Sequence, residues 1–408
     1  MPVRRSWEIV VLILFLCLAL LSWRGNADHR SEQGVYRNYH KPLGIALWSG
    51  QGYRFPSGDP ALYPLYGYPI VVGLLRSDAL ISGSQVLAVA MLCWFLCRRG
   101  LSQPFRWLTS IFFLPIFLHA SVKWPDAWYV VAMLSLYAAV AHNRWIPALL
   151  AGALAAVMRP DFLPFACFAL LIAFIAKSSR LARIIGIALT GALLALLPWA
   201  IFTLRETGAP SLTSFNGGMV FYISLGQLPG NPWGREYTDG AAIAMAQAAG
   251  FEPFSPAGQS YLIRQAVADI VAYPRAYVDK VLYNLFRAMT RGVYAESPIL
   301  RFAFNPLAWG GLVIAFFCRL HSRRDSASLF ALILFLFSLA WISLLQYIPR
   351  HLNAAYAVML VHLWTMPQDQ RVVTAHPISD VTPAAPPTPE VPPCAATTQP
   401  GPPSPQPG

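Results

Sequence analysis

Charge is what this chain has least of. Lys, Arg, Asp and Glu make up 12% of its 408 residues, against 56% hydrophobic residues. So few charges cannot cover the surface of a soluble domain of this length, so the composition points to a membrane protein. Acid is the scarcer sign, with 18 Asp and Glu against 30 Lys and Arg, for a formal net charge of +12. The basic residues stand between apolar runs, as the positive-inside bias produces, and not in a nucleic-acid-binding patch; no nucleic-acid partner is expected. Cysteine is also sparse. Cys17, Cys93, Cys97, Cys167 and Cys318 lie in or at the ends of apolar runs and Cys394 in the tail, so no external disulfide framework is indicated. Cys93 and Cys97, four apart, read as small buried side chains on one helix face. There is no internal repeat, Walker loop, dinucleotide fingerprint or zinc signature, and no cofactor is expected.

Long apolar runs are what the chain has instead. "MPVRR" precedes "WEIVVLILFLCLALLSW", which reads as a retained anchor with Arg4 and Arg5 inside; a signal peptide with small residues at Gly25–Ala27 is the other reading. Further spans are expected near 79–97, 105–120, 127–141, 145–158, 162–176, 184–204, 303–318, 327–347 and 351–366, about ten in all with the anchor. The stretch 63–76, short and proline-interrupted, suits a membrane-surface or re-entrant segment. Thirteen Trp and seventeen Tyr fit two water–lipid interfaces. From Pro367 onward about a third of the residues are proline, so residues 1–366 form the transmembrane domain and 367–408 a disordered, cytoplasmic, proline-rich tail.

Charge orients the loops. Arg98 and Arg99, Arg144, the Lys177/Arg180/Arg183 group and Arg319/Arg323/Arg324 mark inner loops. Two long hydrophilic segments, about 24–78 and 205–298, then fall outside, with the turns "VKWPDA" (122–127), "MRPD" (158–161) and "IPRH" (348–351). Lys123, Arg159 and Arg350 run against the positive-inside trend. An arginine offers forked donors to phosphate oxygens, so Arg159 and Arg350, with His351 and Lys123, are candidates to hold a lipid phosphate. Snorkelling, or an Arg159–Asp161 pair, is the alternative for Arg159. Asp126 and Lys123 either close the same site or form a loop ion pair. Asn216, Gly217 and Gly218 mark a tight external turn, which is either purely structural or able to approach the acceptor or sugar. In the first loop Asp28 and Glu32 stand four apart, on one face if that piece is helical, and each is either a solvated surface charge or a candidate general base.

The order of these features resembles the GT-C glycosyltransferases, in particular bacterial protein-mannosyltransferase and aminoarabinose-transferase types. The resemblance rests on the acidic first loop followed by "YPLYGYPIVVGLL", then "WPDAWYVVAMLSLYAAV", "LAGALAAVMRPDFLPF", "LLPWAIFTLRETGAPSLTSFNGGMVFYISLGQLPGN" and "YPRAYVDKVLYNLFR". It implies an all-α polytopic bundle with amphipathic helices in the first outer loop. It further implies transfer of a sugar, with inversion, from a polyprenyl-phosphate donor to a protein, lipid or glycan acceptor. That reaction would take place on the periplasmic side of the plasma membrane, among membrane lipid. Asp28, nearer the first span, and Glu32, four residues before Tyr36, each match one part of the family pattern for the base; Tyr36 joins the substrate-binding set. The Arg205–Glu206 pair departs from the family's Arg-Asn, and no large soluble domain follows the last span. The first loop has no Asp-x-Asp, so a metal-independent site is expected. A transporter or flippase, or a non-catalytic envelope assembly protein, is the competing reading; against transport, the polar groups gather at one rim and not at the bilayer midplane.

Overall fold

The computed structural model describes residues 2–25, 35–101, 106–291, 310–322, 325–346 and 348–365. Asp28, Glu32 and the tail from Pro367 lie outside the described residues. Those described are helical apart from turns and one isolated bridge between Arg54 and Pro60.

In chain order the helices are α1 (Pro2–Gly25), α2 (Lys41–Trp48), α3 (Gly67–Leu75), α4 (Asp78–Leu101), α5 (Leu114–Ala120), α6 (Asp126–His142), α7 (Trp145–Met158) and α8 (Phe162–Ile175). There follow α9 (Ser179–Thr207), α10 (Gly217–Ser224), α11 (Asp239–Ala248), α12 (Pro256–Ala272), α13 (Pro274–Arg291), α14 (Gly310–Ser322), α15 (Ser326–Leu344) and α16 (Asn353–Trp364). A π-helical turn, Tyr36–His40, leads into α2. Local sequence sets many of the ends. The side chains of Thr238, Ser255 and Asp325 accept backbone N–H groups at the starts of α11, α12 and α15. Asn143 (φ 55°) and Gly208 (φ 74°), both left-handed, stop α6 and α9.

Four helices are long and apolar enough to cross a membrane, over Ser6–Arg24, Asp78–Arg98, Ser179–Thr207 and Ser326–Leu344. This corrects the expectation of about ten spans. The other apolar runs form shorter helices: α7 and α8 have 14 residues each, a rise of about 21 Å against about 30 Å of hydrocarbon. The run at 105–120 divides into a 3₁₀ segment, Arg106–Phe113, and the seven-residue α5. The run at 351–366 becomes the 12-residue α16, buried without a break from Asn353 to His362. An apolar helix buried on every side belongs to the middle of a bundle and does not face lipid.

The main core wraps α6, whose Ala132, Met133, Leu134, Leu136, Tyr137 and Val140 are buried among α4, α7, α15 and α16. α7 and α9 pack backbone to backbone. A Cβ built on Gly152 would overlap the carbonyl of Ala188, and one on Gly191 the carbonyl of Leu149, so glycine is what lets the backbones meet.

The segment expected as a hydrophilic outer loop, 205–298, folds largely into α10–α13 with a second, smaller core of Met219, Tyr222, Leu225, Trp233, Ala242, Ala246 and Leu262. Arg235 clamps both oxygens of Asp269, at 2.8 and 3.2 Å, and lies over the Tyr222 ring. This cap joins the bundle where Phe215 N–H donates to the Leu62 carbonyl (3.1 Å), Tyr63 stacks on Phe254 (5.7 Å) and Tyr277 donates to the Leu344 carbonyl (2.9 Å).

Candidate functional site

Two prolines shape the centre of the site. Pro160 biases its predecessor away from helix, and Arg159 is extended (φ −143°, ψ 132°), ending α7. Pro125 precedes Asp126, the first residue of α6. The turn thus aims Arg159 at two acids. Its Nε and Nη2 donate to the two oxygens of Asp161 at 3.0 and 2.9 Å, and Nη1 donates to Asp126. All three residues are buried, and Arg159 also lies 5.2 Å from the Tyr129 ring centroid. Burial opposes the charge on Arg159, but Asp161 and Asp126 outweigh it and raise its pKa, so the guanidinium stays charged.

Asp126 meets a second guanidinium through its other oxygen, 3.8 Å from Arg350 Nε. Two acids and two arginines make a network with no net charge. Arg350 differs from Arg159 in one respect that decides its use. It lies over Trp124 at 4.1 Å, its side chain is 23% exposed, and among the described residues it donates no hydrogen bond. Trp124 is fixed from below, its carbonyl accepting from Gln85 Nε2 at 2.7 Å. Around this cation stand His40 and His351. Burial pulls His40 down to about 3, with Asp126 opposing and Arg350 assisting, and burial with Arg159, Arg350 and His119 drives His351 well below the usual range. Both are neutral imidazoles, and His40 Nδ1, His351 Nδ1 and His119 Nε2 are buried with no hydrogen-bond partner among the described residues.

A second cluster flanks the first, one residue before Trp124. Lys123 and Lys41 hold the two oxygens of Asp78 at 3.3 and 3.0 Å, Tyr36 donates to Asp78 at 2.8 Å, and Lys123 lies over the Tyr36 ring. Two ammonium groups on one carboxylate leave one positive charge uncompensated. Burial, then Asp78, raises the Tyr36 phenol, which stays protonated as a donor.

Of the residues singled out in the sequence, Lys123, Asp126, Arg159, Arg350 and His351 come together, with Tyr36 beside them. Arg159 is directed at carboxylates where a phosphate was expected, so the alternative pairing with Asp161 is the one found. Asn216 stands apart from this cluster, at the start of α10, its Oδ1 accepting from Ser214 Oγ at 2.7 Å. Asp78, Lys41, Trp124 and His40 carried no signal strong enough to single out alone, although Trp124 sits inside the "KWPD" turn. Cys93 and Cys97 are buried in the core. Among the described residues no three His, Cys, Asp or Glu side chains group to hold a metal ion.

The arrangement can hold an anion against a desolvated wall. Arg350 supplies unpaired donors, the Lys41/Lys123 pair a surplus charge, and Asp126 keeps Arg350 in place. Comparison with protein-family models, with curated proteins and with solved structures finds no match to this chain.

Proposed function

We propose that this chain is a membrane glycosyltransferase of the GT-C type that takes its sugar from a polyprenyl-phosphate donor. The observation that carries the reading is Arg350, a partly exposed guanidinium seated on Trp124 with no hydrogen bond among the described residues. A cation held in this way, beside helices long and apolar enough to cross a membrane, suits a phosphate whose hydrocarbon tail lies in lipid. Nucleotide-linked sugars stay in the cytosol, whereas a lipid-linked sugar presents its phosphate at the opposite surface. Arg180 and Arg183 bond to Ala141 and Asn143, at the far end of α6 from Asp126, a distribution that supports an extracytoplasmic site in the plasma membrane.

In this reading the acceptor hydroxyl or amine attacks the anomeric carbon while the C–O bond to phosphate breaks, and the lipid phosphate leaves with the bonding pair. Arg350 and the Lys41/Lys123 pair stabilise the charge that develops on the departing oxygen. Arg159 acts one step removed, holding Asp126 so that Asp126 can hold Arg350. Asp28 or Glu32 takes the acceptor proton. In the sequence Glu32 stands four positions before Tyr36, and Tyr36 bonds to Asp78 within the cluster.

The test compares envelope glycans by mass spectrometry in cells that carry the chain, lack it, or carry Arg350→Ala. A sugar lost without the chain, and not restored by Arg350→Ala, is the expected result. Identical glycans in all three would sink the proposal.

A further inference from the structure

The last two helices of the cap carry an apolar face that no described part of the chain covers. On α13, Val278, Leu282, Phe286 and Met289 are exposed, Phe286 at 65%. Their spacing of four, four and three puts them within about 80° of arc. Lys280, Asn284 and Ala288, on the opposite side, are buried. On α12, Ile263, Val267 and Val271 repeat the pattern at intervals of four, with Val271 73% exposed. On another side of the same helix, Leu262 and Ala266 are buried in the small core. Pro274 joins the two stripes. It holds Tyr273 out of the helical region (φ −134°, ψ 63°), and Tyr273 is itself exposed between them. Charge is confined to the edges, where Arg264, Arg275 and Asp279 are exposed.

A continuous apolar face of this length marks a surface that something covers, a protein or a lipid. Where α13 meets the bundle decides between them. The Tyr277 hydroxyl and the Lys280 ammonium donate to the Leu344 carbonyl at 2.9 and 2.7 Å, and Leu344 is the last residue of α15. α15 is one of the four helices long and apolar enough to cross a membrane, and its own Leu336 and Leu344 are exposed. The apolar exterior thus runs on from the end of a span to α13. Tyr273, Arg275 and Tyr277 stand at that junction, and tyrosine and arginine are residue types that settle at a water–lipid boundary.

We infer that α12 and α13 lie in the surface of the bilayer, with the face from Ile263 to Met289 against acyl chains and with Arg264 and Arg275 at the lipid phosphates. The inference rests on α15 as a span and is independent of any transferase activity. The cap is then held from two sides, by lipid along α12 and α13 and by the Tyr277 and Lys280 bonds to the end of α15.

The photo-cross-linking residue p-benzoylphenylalanine is placed in the full-length chain at Val271, Leu282 or Phe286. The controls are Leu194, on the exposed side of α9, and Gln247, an exposed polar residue of α11. All of these sites are exposed, so the larger side chain displaces nothing. Each protein is irradiated in phosphatidylcholine nanodiscs, delipidated and weighed intact by mass spectrometry. A mass shift of one phosphatidylcholine is expected at Val271, Leu282, Phe286 and Leu194, and loss of that shift at Gln247. A shift at Leu194 with none at the other three overturns the inference and leaves the spans standing. A shift at Gln247 equal to that at Val271 also overturns it, since labelling then does not follow the face. Cross-linking to a second copy, read as a doubled mass, overturns lipid as the occupant in favour of self-association. No lipid adduct at any site, Leu194 included, removes the span reading and the inference together.

Discussion

The guanidinium of Arg350 lies over the indole of Trp124 at 4.1 Å, and this contact orients the least committed cation of the site. A flat guanidinium stacks on a ring in a way that an ammonium on a flexible stem does not reproduce. Arg350→Lys keeps the charge and loses the stack. It is therefore expected to bind polyprenyl phosphate about tenfold more weakly with little change in melting temperature. Trp124→Leu should give the same phenotype; equal affinity in both variants would show that the stack has no part in binding.

Arg159 gives a different expectation, because it is buried between two acids. Removing one partner of a buried ionic group leaves the others uncompensated, at about 3–5 kcal/mol. Arg159→Met should thus lower the melting temperature sharply, and Arg159→Met with Asp126→Asn and Asp161→Asn should recover part of the loss. A single variant as stable as wild type, measured by thermal melting in detergent, would contradict the network.

Close helix contact makes a third case. Gly152→Leu must displace the Ala188 backbone, so α7 and α9 should separate at a cost of about 3 kcal/mol or more. Gly186, which has open space at its Cβ position, should accept alanine with little effect, and the pair of melting curves checks the contrast.

Lys280 supplies a pH dependence. Its ammonium is buried against the carbonyls of Ser343, Leu344 and Leu345 at the end of α15, and burial pulls it from 10.5 down to about 7. Between those values the unfolded chain holds a proton that the folded chain has released, so stability increases as pH rises through this window. Melting temperature should climb from about pH 6.5 to pH 9, and Lys280→Met should flatten that climb. A Lys280→Met profile parallel to wild type would remove Lys280 as its source.

Much of the site was legible because proline writes its effect locally. "KWPD" and "MRPD" both announce a helix boundary with charge beside it, and Asp126, Arg159 and Asp161 lie where those turns put them. That Asp126 and Arg159 would meet was not legible. They stand 33 residues apart, and their meeting depends on where α6 and α7 begin and end. The Asp78 cluster was hidden for the same reason, since Lys41, Asp78 and Lys123 share no local pattern. The span count failed on a separate ambiguity: an apolar run does not say whether lipid or protein will cover it. Residues 353–362 are as apolar as a span, yet all of them are covered by other helices. Asn216 stands in a turn at the start of α10, while Gly217 and Gly218, expected in the same turn, belong to the helix, and nothing in "FNGG" announced the small core that begins at Met219.

That covered helix has a consequence for how the molecule is made. α16 is the last helix among the described residues to leave the ribosome, yet it occupies the middle of the bundle, and Arg350 immediately precedes it. Its buried face, Asn353 to His362, is therefore packed only once this segment has been made. A chain stalled before residue 350 carries Lys41, Lys123 and Asp126 without the guanidinium that pairs with Asp126.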